Sequence, residues 1–526
     1  MAVAAPGLRL SGLAAVMAVG VLLIPVVSTG STLPSVVPAA GGGLGLTTAR
    51  AAALGQLSEV LGSENSMGID PGRLVPLSRL NLHRSARASR PRAATNPCTT
   101  APNYGWLHTQ GVWIVDNKGC KVRLASVTWY GMQTDYFVPA GLDILPYFEI
   151  LQRIKALGFN SIRVPLSDEL VRYNAKIVIT QHIGQQGKPN WNAFHDRHPL
   201  DILDAIIQTA HQLGLMIILD NHSSAATNPG TYGKKSPVKG RIHGDEATWH
   251  TKQYSEKQWI KDWLVLTRRY LRNPTVVGFD IRNEPHTDGP GPWSLKTYLT
   301  QGATWGPYPS KLWKKNSNWP AAAERAGNAI LKINPHLLIF VEGVQLYPDK
   351  TQKNGVESYW WGAILRGVSW DPVRFNVPHQ LVYSPHEWGP WKCCLDAFNH
   401  TLKGNPLKAK HAYAAMSKVW NENWGFILQS SKPSIQAPIW IGEFNTCDTS
   451  VSCVSNNKKG TQGQWWRLFM KYLRSHPEIG WAFWAVNGTN SYNQPANNGI
   501  LDRSWTNPSL PQLMQSLQTI QSQPGS

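Results

Sequence analysis

Two glutamates have the sequence surroundings of a catalytic carboxylate pair. Glu284 lies in the segment Arg-Asn-Glu-Pro-His (282–286) and Glu443 in Ile-Gly-Glu-Phe-Asn (441–445), and each follows a short apolar run. A carboxylate at the end of a β-strand is held rigidly yet faces one edge of a sheet, which suits acid/base or nucleophilic chemistry. A single strand-end glutamate more often has a capping or ion-pairing role, so the prediction of a site depends on the pair and its neighbours.

The two glutamates fall within a regular alternation of chain segments. From about residue 100 onward, short apolar runs alternate with amphipathic stretches, which predicts strands joined by crossover helices. The apolar runs are 122–130, 160–166, 215–222, 276–284, 337–343, 381–386, 438–444 and 480–486. The predicted helices between them include 147–157, 199–213, 255–271, 321–333 and 464–475. Eight βα units over roughly 400 residues, against about 250 in a compact example, predict an α/β fold: a single (β/α)8 TIM barrel with long βα loops.

In such a barrel the site lies at the carboxyl ends of the strands, so the polar residues that end each run are the candidates. In chain order they are Arg163, Asp220, His222, Asn283, Glu284, Glu342, His386, Glu443 and Trp484. The fourth and seventh strands lie across the barrel mouth from each other. We therefore expect Glu284 and Glu443 to face one another over a bound substrate.

Composition narrows the substrate and partner classes. The 24 tryptophans exceed what core packing would need, and a flat aromatic face stacks well on a sugar ring, so they favour a carbohydrate groove. The net charge of +19 predicts adhesion to acidic polysaccharide or an anionic membrane surface. Nucleic acid is not expected as a partner, because the chain has no zinc-finger spacing and no RNA-binding aromatic motif. The loop histidines match no metal-ligand motif, so no metal is expected.

The N-terminal region predicts export. Arg9 precedes an apolar stretch over 13–27, and small residues follow, so 1–30 is interpreted as a cleaved secretory signal. An uncleaved membrane anchor is the alternative, because the stretch approaches the roughly 20 residues that span a bilayer. Residues 31–97 are rich in Ala, Gly, Ser and Pro and include a basic run, which predicts a disordered spacer able to contact acidic surfaces. The catalytic domain is then 98–520.

Six cysteines fit the oxidising compartment that a secretory signal implies. No Cys-x-x-Cys is present, so structural disulfides are expected rather than a zinc or redox site. Cys98 and Cys120 are predicted to bond to each other at the entrance to the domain. Cys393 and Cys394 are too constrained by adjacency to bond easily to each other, so we expect at least one of them to reach one of the two remaining cysteines, at positions 447 and 453.

At its strand-end motifs the chain resembles glycoside hydrolase family 5, the family of retaining cellulases and mannanases. The resemblance spans about residues 104 to 502 and is greatest to the secreted endo-β-1,4-glucanase branch. Its segments include Ser-Ile-Arg-Val-Pro (161–165), Thr-Val-Val-Gly-Phe-Asp (275–280), Asn-Glu-Pro-His (283–286), Glu-Arg-Ala-Gly-Asn-Ala (324–329), Leu-Ile-Phe-Val-Glu-Gly-Val-Gln (338–345), Tyr-Trp-Trp-Gly (359–362), Leu-Val-Tyr-Ser (381–384) and Gly-Glu-Phe (442–444).

The resemblance implies a double displacement without cofactor, in which Glu443 is the nucleophile and Glu284 the acid/base. Arg163 is expected to keep Glu443 ionised, whereas the acid needs a raised pKa. Glu342 also ends a strand, but the resemblance gives it no chemical role, and we expect it to be structural.

The residues expected to bind substrate are Arg163, His222, Asn283, His386, Trp388 and Trp484. By resemblance, Asn283 would hydrogen-bond the 2-hydroxyl of the sugar and Trp484 would form the floor below it. The two histidines would bind or orient the attacked sugar.

One position departs from the family pattern. The family usually shows His-x-Tyr after the sixth strand, with the tyrosine hydroxyl touching the nucleophile, whereas here Trp388 takes the place of that tyrosine. An indole donates through one N–H in a different position, so the charge tuning of Glu443 should differ. Activity is then expected to be low or directed at an unusual substrate.

The sequence thus predicts a secreted, monomeric enzyme of the extracellular space or cell wall that hydrolyses internal β-1,4 bonds of a glucan. A β-mannanase or a transglycosylase on the same site is the alternative enzyme, because loops decide the choice of sugar. A wall-associated carbohydrate-binding protein with little turnover is the alternative from another class, motivated by Trp388 and the basic surface.

Overall fold

The computed structural model describes residues 98, 105–227, 247–288, 291, 293–390, 405–491, 493–496 and 498–523. The predicted signal (1–30) and spacer (31–97) lie outside these residues and stay predictions. Within the described part of the chain, no helix is both long enough and apolar enough to cross a bilayer.

A nine-membered parallel sheet forms the centre of the fold. Its strands are β1 Ala125–Thr128, β2 Ser161–Ser167, β3 Met216–Ser223, β4 Val276–Asp280, β5 Leu338–Val341, β6 Leu381–Tyr383, β7 His386–Glu387, β8 Trp440–Phe444 and β9 Gly480–Phe483. Their order across the sheet is β6-β5-β4-β3-β2-β1-β9-β8-β7. Each of the eight predicted runs overlaps at least one of these strands, so the predicted parallel α/β architecture is confirmed.

Segments β6 and β7 join the two edges of this sheet. β6 pairs with β5, β7 pairs with β8, and a parallel bridge connects Tyr383 to Ile439. Because only residues 384 and 385 separate β6 from β7, the two segments are one interrupted strand that is hydrogen-bonded on both sides. The sheet curls accordingly and has the strand order of a (β/α)8 barrel.

Helices cover the outside of the sheet. The α-helices are Tyr147–Ala156, Asp168–Tyr173, Pro189–Phe194, Pro199–Gln212, Glu256–Arg269, Leu295–Thr300, Trp319–Leu331, Ala412–Trp420, Phe426–Gln429, Ser452–Ser455, Gln462–Ser475 and Pro511–Gln518. Shorter 3-10 turns occupy Asn174–Lys176, Lys315–Ser317, Arg366–Ser369 and Pro406–Lys408, and a π-helical turn occupies Asn421–Gly425. The five predicted helices are confirmed, with ends within two residues of those expected.

Side-chain caps explain where several of these helices begin. The Ser255 hydroxyl accepts from the backbone N–H of Gln258, and the Thr461 hydroxyl accepts from that of Gln464. Each cap satisfies a donor that the first helical turn leaves unpaired. The helix beginning at Trp319 starts two residues before its predicted position, because Asn318 caps it.

Tryptophans make up much of the core. Twelve of the 24 are fully buried, whereas others such as Trp361 and Trp370 are exposed, which agrees with the prediction that core packing does not need all of them. A buried indole fills a large volume and still requires a partner for its N–H. Here Trp259 and Trp263 both donate to the carbonyl of Ile281, and Trp319 donates to that of Glu342. The helices thereby hold the strand ends on which the candidate residues lie.

The disulfides are partly as predicted. Cys98 is bonded to Cys120, which confirms that pair. Cys447 is bonded to Cys453, so the expectation that Cys393 or Cys394 reaches either of them is wrong. The reason is local: the loop after β8 turns back within six residues and brings the two Cα atoms to 5.7 Å. Positions 393 and 394 lie outside the described residues.

Candidate active site

The two predicted glutamates meet at the carboxyl end of the sheet. Glu443 lies in β8 and Glu284 in the loop that follows β4. One oxygen of each carboxylate and a ring nitrogen of His386 all lie within 4.8 Å of one another. The expectation that the pair faces one another on one side of the barrel is therefore confirmed.

Arg163 lies beneath the pair and connects its supports. Its Nη1 donates to Glu443 Oε1 at 2.6 Å, its Nε donates to Asp280 Oδ2 at 3.0 Å, and its Nη2 donates to Asn283 Oδ1 at 2.9 Å. The side chain has no exposed surface. Charged hydrogen bonds from a planar guanidinium fix orientation as well as charge. Arg163 thus acts on the site through the groups that it holds, not by facing a substrate.

His386 bridges the two glutamates and a third carboxylate. Its Nδ1 donates to Glu284 Oε1 at 2.9 Å and lies 3.8 Å from Glu443 Oε2. Its Nε2 lies 3.0 Å from Glu342 Oε1. The ring is fully buried, so it too orients the carboxylates from below.

Glu284 has an unusual backbone that its neighbours stabilise. Its φ of +49° is in the left-handed region, which non-glycine residues seldom adopt. Its N–H donates to Glu342 Oε2 at 2.7 Å, and its carbonyl accepts from His286 Nδ1 at 2.6 Å. Gly362 packs against the same carboxylate, because a Cβ there would lie 2.3 Å from Glu342 Oε2. Glu342 thus has the structural role expected of it, although the sequence did not indicate that it holds the Glu284 backbone.

The pKa shifts of Glu284 and Glu443 differ from those expected. Burial raises the pKa of Glu443, although the charges of His386 and Arg163 oppose that shift. Burial acts in the same direction on Glu284, but the hydrogen bond and charge of His386 outweigh it and lower the pKa of Glu284. The order is the reverse of the expected one because the imidazole lies closer to Glu284 than to Glu443.

Aromatic rings form a floor beside the carboxylates. Trp484 lies between Tyr130, at a ring distance of 5.2 Å and an angle of 9°, and His222, at 5.3 Å and 16°. His222 is anchored by a 2.8 Å contact from its Nδ1 to Asp220 Oδ2 and keeps 18% of its side chain exposed. The structure thus brings His222 and Trp484 together, as parts of one flat surface.

The tryptophan that departs from the family pattern follows β7. Trp388 is half-buried and packs against the core. Within the described residues it makes no hydrogen bond to Glu443, whose nearest cationic partner is Arg163. The tuning of Glu443 therefore comes from Arg163 and His386.

A second aromatic surface lies on the Glu284 side and was not predicted. Trp361 is 40% exposed and stacks on His286 at 3.8 Å with an angle of 4°. His286 in turn holds the Glu284 carbonyl. The sequence indicates the segment 359–362 only as a family motif. The stacking of Trp361 on His286 joins residues far apart in the chain, so only the structure shows it.

Two groups of side chains have the spacing of cation ligands: Glu284, His386 and Glu443, and beneath them Asp280, Glu342 and His386. Arg163 already lies 2.9 Å from Asp280 and 3.5 Å from Glu342, so a cationic side chain balances the lower group. The expectation that the site needs neither metal nor cofactor stays a prediction.

Comparison with known proteins defines the class. The family model described as "Cellulase (glycosyl hydrolase family 5)" matches residues 115–490, so the chain belongs to this family of glycoside hydrolases. It is similar to an endoglucanase of Paenibacillus polymyxa, with 32% identity over 76% of this chain and 84% of that one. It is also similar to the major extracellular endoglucanase of Xanthomonas campestris pv. campestris, with 26% identity over 77% and 69% of the two chains.

A solved structure supports the same relationship. The endocellulase of Pyrococcus horikoshii, solved as a complex with cellotetraose, aligns with a TM-score of 0.62 and 27% identity. The alignment covers 80% of this chain and all of that one. The chain is thus an endo-β-1,4-glucanase-like glycoside hydrolase.

The role of Arg163 can be tested by Arg163→Met. Loss of the guanidinium that contacts four buried carboxylates should lower the free energy of unfolding by about 3–5 kcal/mol near neutral pH. Burial already raises the pKa values of Asp280, Glu342 and Glu443, and Arg163 opposes this, so without Arg163 these folded-state pKa values should rise further above the unfolded ones. The destabilisation should therefore grow as pH rises from 4.5 to 7.5. Chemical denaturation at both pH values measures this.

Arg269→Met is the matched control. Arg269 pairs with Asp201 and Asp204 at the surface, where ion pairs contribute at most about 1 kcal/mol. Equal losses in the two variants would contradict the proposed importance of Arg163.

Proposed function

We propose that this chain hydrolyses internal β-1,4 bonds of a glucan by a retaining double displacement with two glutamates. The observation that most supports this is the approach of the Glu284 and Glu443 carboxylate oxygens to within 4.8 Å. Retaining glycosidases place their carboxyl groups about 5–5.5 Å apart, whereas inverting enzymes need about 6.5–9.5 Å for an intervening water.

In this mechanism Glu443 attacks the anomeric carbon. Arg163 occupies its Oε1, which leaves Oε2 for the new bond. Glu284 gives a proton to the leaving oxygen, and the glycosyl–Glu443 ester forms as the glycosidic bond breaks. Glu284 then takes a proton from water, which attacks the ester and releases Glu443.

A β-glucan is the proposed substrate because of the relatives and the aromatic surfaces. Proteins similar to this chain are named endoglucanases, and one was solved with cellotetraose. Trp484, stacked on His222, and Trp361, stacked on His286, offer flat faces on which sugars of the chain can pack. Asn283, held by Arg163, is proposed to bind the 2-hydroxyl. Product analysis on glucan and mannan separates this function from the mannanase and transglycosylase alternatives.

Secretion is also proposed. It is supported by two disulfides, which persist in oxidising compartments, and by a relative named as extracellular. The basic spacer remains a proposed contact with acidic polysaccharide or anionic surfaces.

Removal of residues 31–95 should weaken retention of the protein on acidic polysaccharide or anionic surfaces and leave turnover of soluble glucan unchanged.

Glu443→Gln should abolish release of reducing sugar from soluble β-glucan, because the amide cannot form the covalent intermediate. A 2-fluoro cellobioside followed by peptide mapping should label Glu443 in the wild type. Binding of glucan by a wild-type protein that neither turns over nor becomes labelled would instead favour the carbohydrate-binding alternative.

Glu284→Ala should separate substrates by their leaving group. Cleavage of cellotetraose should fall roughly 10²–10⁴-fold, since the leaving sugar needs a proton. The burst of dinitrophenolate from 2,4-dinitrophenyl cellobioside should stay near the wild-type rate, since this leaving group needs none. Equal losses on both substrates would exclude Glu284 as the acid.

Trp361→Ala tests the second aromatic surface. Loss of one stacked sugar should lower kcat/KM for cellotetraose roughly tenfold, which corresponds to about 1.4 kcal/mol. Trp370→Ala is the control, because Trp370 is 50% exposed but packs over Gly306. The same loss of kcat/KM in both variants would show that Trp361 does not contact the substrate.

A further inference from the structure

We propose that His386, clamped between Glu342 and Glu284, stores the proton that Glu284 delivers to the leaving oxygen, and that Glu342 is the positioning residue that keeps this proton in the site. The inference rests on the proposed role of Glu284 as acid/base. It gives a function to a buried carboxylate that the double displacement itself does not use.

The contacts of His386 place a proton beside Glu284. Nδ1 of His386 lies 2.9 Å from Glu284 Oε1, and Nε2 lies 3.0 Å from Glu342 Oε1. The Nδ1–Oε1 contact is a hydrogen bond, so one proton lies next to Glu284. The Nε2–Oε1 contact places the charge of Glu342 beside the other ring nitrogen, which stabilises the protonated ring.

The groups around Glu342 and His386 favour a protonated His386 ring. Three titratable groups face it from other strands: Arg163 of β2 at 3.5 Å, Asp280 of β4, and His386 of β7. Burial and the nearby Asp280 raise the pKa of Glu342, against the opposing charges of His386 and Arg163. Burial lowers the pKa of His386, but the charges of Glu342 and Glu443 outweigh it and raise it well above its ordinary value.

This arrangement accounts for the low pKa of Glu284. A general acid must carry a proton when the bond breaks, yet His386 keeps Glu284 ionised. The proton on His386 meets this requirement, because it lies one hydrogen bond from the Glu284 carboxylate.

The transfer balances without any additional reactant. As the glycosidic bond breaks, the proton passes from His386 Nδ1 to Glu284 Oε1 and from Glu284 to the leaving oxygen. His386 is then neutral and retains its contact to Glu342. In the second half, water gives a proton to Glu284, its oxygen bonds to the anomeric carbon as the bond from that carbon to Glu443 breaks, and the proton passes from Glu284 to His386.

Glu342 also sets the geometry of the transfer. Its Oε2 accepts the Glu284 N–H, while its Oε1 faces the imidazole, so one carboxylate positions both the acid and its proton source. Gly362 closes over this carboxylate and Trp319 holds its backbone carbonyl, so its position is fixed from two sides.

Glu342→Gln is the test, because glutamine keeps the shape and can still accept the Glu284 N–H. Removing the negative charge should let His386 lose its proton at lower pH. Since activity needs that proton, the alkaline limb of kcat/KM for cellotetraose should move to lower pH by about one unit. At pH 8, cleavage of cellotetraose should fall by up to about tenfold, while the dinitrophenolate burst from 2,4-dinitrophenyl cellobioside changes less than about threefold.

Glu387→Gln is the matched control. Glu387 is the next residue in β7 and equally buried, but its carboxylate accepts from Tyr359 and Trp424, and burial raises its pKa to about 8. This variant should leave the alkaline limb and the ratio between the two substrates unchanged. If the alkaline limb of kcat/KM moves in Glu387→Gln but not in Glu342→Gln, the limb belongs to Glu387 and the proposal is wrong.

The remaining outcomes separate this inference from the function beneath it. If Glu342→Gln loses activity equally on both substrates with an unmoved pH profile, Glu342 is only structural and the store is wrong. In that case Glu284→Ala still discriminates between the substrates. If Glu284→Ala does not discriminate, the assignment of Glu284 as the acid fails first.

Discussion

The site depends on a shortage of positive charge below it. One buried guanidinium, Arg163, lies within 3.5 Å of the carboxylates of Asp220, Asp280, Glu342 and Glu443. Full ionisation of all four would leave an excess of buried negative charge, which is costly in a low-dielectric interior. The protein therefore retains protons there, and burial raises the pKa of Asp280 to about 7. The proposed storage of a proton next to Glu284 and Glu443 is consistent with this imbalance.

The rest of the fold holds this charged group in register. The parallel strands bring their carboxyl ends to one face, and β7 pairs directly with β8, so that His386 lies opposite Glu443 in the ladder. Indole N–H groups from surrounding helices tie down the carbonyls of Ile281 and Glu342. Hydrogen bonds to both its N–H and its carbonyl then stabilise the left-handed backbone of Glu284. A carboxylate placed in this way needs little reorganisation before reaction.

The proposed sugar recognition and the stability of the core use the same residue type in different places. The largest fully buried side chains are tryptophans, and several of them join helices to the ends of strands. The tryptophans near the carboxylates, Trp484 and Trp361, keep part of a face exposed and stack on histidines that are themselves anchored. Composition could not distinguish these two uses, because an indole is suited to both.

The sequence by itself determined the strands, the helices and the two glutamates, because apolar periodicity and strand-end position are local properties of the chain. The sequence also predicted that Arg163 and His386 lie at the site, but not that they are fully buried beneath the two glutamates. Only the tertiary structure decided which charges are neighbours: Glu342 reaches the backbone of Glu284 across 58 positions of sequence. The pKa order of Glu284 and Glu443 follows from differences of about an ångström in the distance to His386. Such distances are set by the packing of whole strands and loops, so no local pattern of residues encodes them.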